Sequence, residues 1–165
     1  MKNKLPYEIT SKAIKGYSES PIAKSESNDC VVRAIASSFE IDYDVAHDFV
    51  KRKFGRKFRK GTFGTVGKLK SIQENGEYLN GKRIQIMGIK QQNDLFENLD
   101  TIVTKNGVSK CKKTTVGQFS KKFTKGTYFI LVRGHAFTIK NGVVIGNQDD
   151  AIKLKRPIKQ VFEIK

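Results

Sequence analysis

The sequence predicts an α+β fold in which N-terminal helices pack on a C-terminal antiparallel sheet. Three observations carry this. Two neighbouring stretches, Asp29 to Phe39 and "IDYDVAHDFVKRKFG", repeat apolar residues at helical spacing. The C-terminal runs "TYFILVRG", "HAFTIKNG", "VVIGN" and "KQVFEIK" are β-branched and aromatic and are separated by turn signals. Helices come first and strands afterwards, which is the order of an α+β domain and not of alternating βαβ units.

Residues 1–28 hold Pro6, Pro21 and the serine-rich "SESPIAKSESND", and read as an N-terminal arm; residues 29–165 read as one domain. From Asp29 onward, Val31, Val32, Ile35, Ala36 and Phe39 share a helical face, with Asn28 or Asp29 available as the cap. A second helix follows, capped by Asp42 or Asp44, with Val45, Phe49 and Val50 on its apolar face and Gly55 ending it. "GTFGTVGKLKSIQENG" reads as a loop and a short helix, and "KRIQIMGI" as a strand. "DLFENLDTIVTKNG" and "TVGQFSKKFTKG" read as two more short helices ending at glycine. After them, Asn141-Gly142 marks a tight hairpin in a sheet of three or four strands.

Composition bounds the function. The chain is 165 residues long, enough for one core that buries about two-thirds of the unfolded surface. It carries 32 Lys and Arg against 16 Asp and Glu, a formal +16. Such a field attracts polyanions, so nucleic acid or an acidic protein is an expected partner. No run of apolar residues is long enough to span a bilayer, and no apolar leader opens the chain, so neither a membrane partner nor a signal peptide is expected. Cys30 and Cys111 stand far apart with no second pair, so neither a disulfide framework nor a zinc ligand set is expected, and the expected compartment is reducing. "GTFGTVGK" has the wrong phase for a phosphate loop.

The chemistry concentrates on "SNDCVVRAIASS". A cysteine opening a helix gains from the positive end of the macrodipole, which favours the thiolate. An imidazole beside it can take the proton, and a third group must orient the ring. Of the two histidines, His135 in "RGHAFTI" is the better candidate, because His47 lies among charged residues on the second helix. Counting across the Asn141-Gly142 turn puts Asn147 nearly opposite His135, with Asp149 as the alternative. Arg33, a turn beyond Asp29, can pair with it or anchor the site. Cys111 lies among lysines with no histidine near it in sequence, and is assigned no role.

A cysteine opening a helix, a Gly-His on a strand and Asn or Asp on the next strand resemble the papain-like cysteine peptidase superfamily. "NDCVVRAIA" and "TTVGQFSKKFTKGTYFILVRGHAFTIKNGVVIGNQDD" are similar, more narrowly, to largely uncharacterised papain-like proteins of phages and bacteria. The likeness covers about a third of the chain, residues 28–50 and 114–149. It implies a papain-like domain over 29–165, with Cys30 as nucleophile, His135 as general base and Asn147 or Asp149 orienting the ring. It also implies a protein or peptide substrate, no cofactor and no metal, and residence in a host cytoplasm or a virion. Papain-like enzymes place a glutamine before the cysteine, but residues 20–29 have none, so Asn28 or the Cys30 backbone N–H would serve the oxyanion. The narrower group has an acidic residue where this chain has Gly146.

The run "KRKFGRKFRK" supplies the strongest local basic patch, Lys51, Arg52, Lys53, Arg56, Lys57, Arg59 and Lys60, with Phe54 and Phe58 facing inward. It supports the alternative expectation of a catalytically silent basic accessory protein, of a phage or its virion, that binds nucleic acid or an acidic partner.

Overall fold

A computed structural model describes residues 4–86, 101–103, 109–111 and 114–165. The architecture is α+β. Its helices are α1 (Thr10–Ala13), α2 (Pro21–Ser25), α3 (Cys30–Phe39), α4 (Tyr43–Phe54), α5 (Thr65–Glu74), α6 (Val116–Lys122) and α7 (Gln148–Ile152). The strands are β1 (Tyr7–Ile9), β2 (Tyr78–Leu79), β3 (Lys82–Ile86), β4 (Thr101–Val103), β5 (Ser109–Cys111), β6 (Thr127–Val132), β7 (His135–Lys140), β8 (Val143–Gly146) and β9 (Ile158–Ile164).

Seven strands form one sheet in the order β1-β8-β7-β6-β9-β3-β2. All neighbours are antiparallel except β1 and β8, which are parallel. The expected four C-terminal strands are its centre. Their hairpin turns at Asn141 (φ 48°) and Gly142 (φ 78°), pairing Lys140 with Val143. The sheet is wider than expected because β3 and β2 extend one edge and, at the other, part of the expected N-terminal arm joins it: β1 pairs with β8, and Leu5 N–H bonds to Ala151 O at 3.0 Å. Within 94–107, expected as helix, residues 101–103 are strand β4, which pairs with β5; the rest lies outside the described residues.

Period-2 alternation along β6 explains why both faces of the sheet are covered instead of one. Phe129 points to the side holding α3, α4 and α5, while Tyr128, Ile130 and Val132 point to the side holding α6 and Ala151 of α7. Each such large side chain, fully buried, contributes about 1.5–3 kcal/mol. Helix α3 is buried almost all round, with Val32, Ala34, Ile35, Ala36, Ser38 and Phe39 at 1% exposure or less. Its small residues let it approach β7 closely: Ser37 Oγ lies 2.7 Å from Thr138 Oγ1, which donates to Ala34 O at 3.1 Å.

Helix α4 is bounded as its sequence predicts. Asp42 Oδ1 accepts from Asp44 N–H at 3.0 Å, and Gly55 ends the helix with its N–H on Lys51 O. Its buried face differs by one position: Val45 is 53% exposed and Ala46 takes the inward place beside Phe49, Val50 and Phe54.

Candidate active site

Cys30 is the first residue of α3, and its neighbour Asp29 occupies the cap position without capping. The Asp29 carboxylate is committed elsewhere: Oδ1 pairs with Arg33 Nε at 3.1 Å and Oδ2 accepts from the buried Tyr43 hydroxyl at 2.8 Å. That hydroxyl is held protonated, its pKa raised by burial and by the Asp29 charge. The first backbone N–H groups of α3 therefore receive no hydrogen bond from the cap side chain, and the positive end of the helix favours a thiolate at Cys30.

His135 opens β7 directly after a two-residue turn, because Val132 pairs with His135 and Gly134 takes φ +69°, a conformation that glycine adopts without strain. The ring is hydrogen-bonded to Cys30, and the Ala136 backbone N–H also serves the sulfur. His135 Nε2 lies 3.0 Å from Asp150 Oδ2, which leaves Nδ1 as the nitrogen for the thiol.

The orienting carboxylate is Asp150, which the sequence reading did not single out. Asp150 is 1% exposed. Its Oδ2 accepts from His135 and from Asn147 N–H at 2.8 Å, and its Oδ1 accepts from Arg156 Nη2 at 2.9 Å. The two expected residues stand differently. Asn147 does not touch the ring; its Oδ1 accepts from Arg33 Nη1 at 2.9 Å. Asp149 points to solvent on Lys153 at 2.7 Å. The hairpin count failed because β8 ends at Gly146 and the chain turns into α7, bringing back a residue one helical turn on. The signal was present: Asn147 and Asp150 have the N-cap and N3 spacing of a helix start. Gly146 is the other half of this geometry, since a Cβ there would lie 2.5 Å from Asp150 Oδ2.

The charges agree with the contacts. Burial pushes the Cys30 thiol up, but the His135 hydrogen bond, the Ala136 N–H and the His135 and Arg33 charges outweigh it and leave the thiol below its ordinary value. Burial pulls His135 down, yet its bonds to Asp150 and Cys30 and their negative charge push it up to about 9. Burial raises the Asp150 carboxyl, and bonds from His135, Arg156 and Asn147 more than offset that, so it stays ionised. The imidazolium thus favours both the thiolate and the carboxylate, and each of them favours the imidazolium.

Asn28 is exposed, and its amide Nδ2 donates to Arg59 O at 3.2 Å, so the backbone N–H groups at the start of α3 are the better-placed oxyanion donors. The basic run is partly structural. Arg56 is 6% exposed, ion-paired with Glu26 and bonded to Ser27 O at 3.0 Å. Arg52 and Lys53 pair with Asp48 and Glu77, while Lys51, Lys57, Arg59 and Lys60 are exposed. Phe54 is buried as expected, but Phe58 is 57% exposed. The Cys111 side chain lies outside the described residues. Among the described residues, no group of His, Cys, Asp and Glu is arranged to hold a metal ion, and no helix is long and apolar enough to cross a membrane.

Compared with known proteins, the chain matches no family model, no curated protein and no solved structure.

Proposed function

We propose that the chain is a papain-like cysteine hydrolase, a peptidase, amidase or isopeptidase, of the kind its sequence resembles in phages and bacteria. The observation that supports this is a helix-opening thiol hydrogen-bonded to an imidazole whose other nitrogen rests on a buried carboxylate. The Cys30 thiolate attacks the substrate carbonyl carbon, forming the C–S bond, and the carbonyl oxygen takes the negative charge toward the α3 N–H groups. Collapse of that adduct breaks the carbonyl–nitrogen bond, and the leaving amine takes the proton from His135. Neutral His135 then accepts a proton from water as the water oxygen attacks the thioester, and the C–S bond breaks to restore the thiolate and the imidazolium. Asp150 keeps its charge throughout and holds the ring.

The test is labelling by an acyl-directed thiol probe with site mapping by mass spectrometry. Cys30 takes the label, and Cys30→Ala loses it. Label found only on Cys111 would overturn the reading. So would an unlabelled protein that binds DNA with steep salt dependence, a behaviour expected of a silent basic protein.

A further inference from the structure

Behind the thiol and imidazole, two arginines converge on the same carboxylate by different routes. Arg156 reaches Asp150 Oδ1 directly at 2.9 Å. It is itself held, with its guanidinium 5.4 Å from the Phe137 ring and its Nε donating to Lys153 O at 3.3 Å. Phe137 is also the residue on which His135 stacks, with ring centroids 5.9 Å apart. Arg33 acts through an intermediate. It pairs with Asp29 just ahead of Cys30, and its Nη1 donates to the side-chain oxygen of Asn147, whose backbone N–H holds Asp150 Oδ2. A continuous polar chain thus runs from Tyr43 through Asp29, Arg33 and Asn147 to Asp150, joining the helix of the nucleophile to the turn that carries the acid.

We propose that Arg156 and Arg33 are positioning residues, Arg156 holding Asp150 directly and Arg33 holding it through Asn147, so that its Oδ2 stays on His135 while the ring changes charge. This rests on the acyl-transfer reading of the site. Asp150 reaches His135 from a helix of only five residues, α7, which needs outside support to hold a side chain in place. One charge-assisted N–H bond from a guanidinium that is itself fixed by Lys153 O and Phe137 holds Oδ1, so that Oδ2 keeps facing the ring.

The sign of one measurement separates positioning from simple electrostatics. The charged and titratable groups around His135 are Cys30 and Arg33 from α3, Asp150 from α7, and Arg156 beyond it. If Arg156 acted only as a nearby cation, removing it would make the imidazolium easier to keep and raise the His135 midpoint. If it positions Asp150, removing it costs the imidazolium its partner, and the midpoint falls.

The experiment is an NMR titration of the His135 ring, with His47 as internal reference, alongside the rate of Cys30 labelling by the acyl probe. Arg156→Gln lowers the His135 midpoint by about one pH unit and slows labelling about tenfold, an equivalent free-energy change. Arg156→Lys recovers most of both, and Arg33→Gln moves both the same way by less. A midpoint that stays or rises in Arg156→Gln, with labelling at the wild-type rate, overturns the positioning role and leaves the acyl-transfer reading standing. A midpoint that falls in a protein whose wild type is never labelled supports the positioning role and overturns the acyl-transfer reading.

Discussion

Two clusters among the described residues each join a histidine, a carboxylate and an arginine, and they differ in what the ring meets on its other side. At one, His135 rests on Asp150, which is also held by Arg156. At the other, His47 Nε2 lies 2.7 Å from Glu26, which is also held by Arg56. Both carboxylates are buried, with side chains 1% and 0% exposed, and both stay ionised because bonds from their cationic partners outweigh the burial that would raise them. The difference lies on the far side of each ring. His135 meets the Cys30 thiol at a helix start, whereas the described neighbours of His47 are Glu26, Arg56 and the Tyr43 ring. Glu26 and Arg56 instead fasten residues 25–28, the approach to Cys30, onto 56–59: Arg59 N–H donates to Glu26 Oε1 at 2.8 Å and Arg59 Nε to Ser25 O at 3.0 Å. A histidine, a carboxylate and an arginine make a brace; adding a thiol makes a candidate site.

Breaking the first cluster has the largest expected effect. His135→Ala lowers turnover about 10²–10⁴-fold, the range for losing a general acid–base. It also moves the pH profile of Cys30 alkylation. The imidazolium favours the thiolate, so its loss raises the thiol pKa and shifts the midpoint upward, toward that of an ordinary cysteine. On the proposed mechanism, the wild type is expected to lose turnover at low pH as the thiolate takes up a proton, and again as pH rises through about 9, where His135 loses the proton it would give the leaving group. An alkaline limb near 6.5 would show that Asp150 does not support the ring.

Breaking the brace should read out in stability and not in chemistry. Arg56→Ala removes the arginine from the buried Glu26, leaving it His47 and the Arg59 N–H, and costs about 3 kcal/mol in denaturant unfolding. The alkylation profile of the folded protein stays unchanged; a shifted profile would mean that the two clusters are coupled. Gly146→Ala forces a methyl against Asp150 and costs about 1–3 kcal/mol, with turnover reduced at unchanged fold by circular dichroism. The smallest effect is expected of His47→Gln, about 1 kcal/mol in stability with labelling of Cys30 unaltered, since Arg56 and Arg59 still satisfy Glu26.

How far the sequence carried the site depends on the range of each interaction. The thiol and imidazole were legible because each announces itself locally, Cys30 by a helix start and His135 by a glycine turn before a strand. Asp150 was missed in favour of Asn147 and Asp149, although its spacing from Asn147 carried a helix-start signal, because strand counting presumes that β8 continues past Gly146. Arg56 read as surface charge because its neighbours in sequence are cations, while its partner Glu26 comes from the segment after α2.

The sequence by itself determined what depends on a few consecutive residues: the boundaries of α3 and α4, the β-branched and aromatic runs of β6 and β7, the Asn141-Gly142 hairpin, and the thiol and imidazole as candidates. Only the tertiary structure decided which carboxylate faces which histidine, which arginines brace and which stay in water, and that β1 closes the sheet beside β8. The reason is physical. Caps, turns and periodicity are settled within about one helical turn of chain, whereas the partner of a buried charge is settled by whichever distant element packing brings within 3 Å.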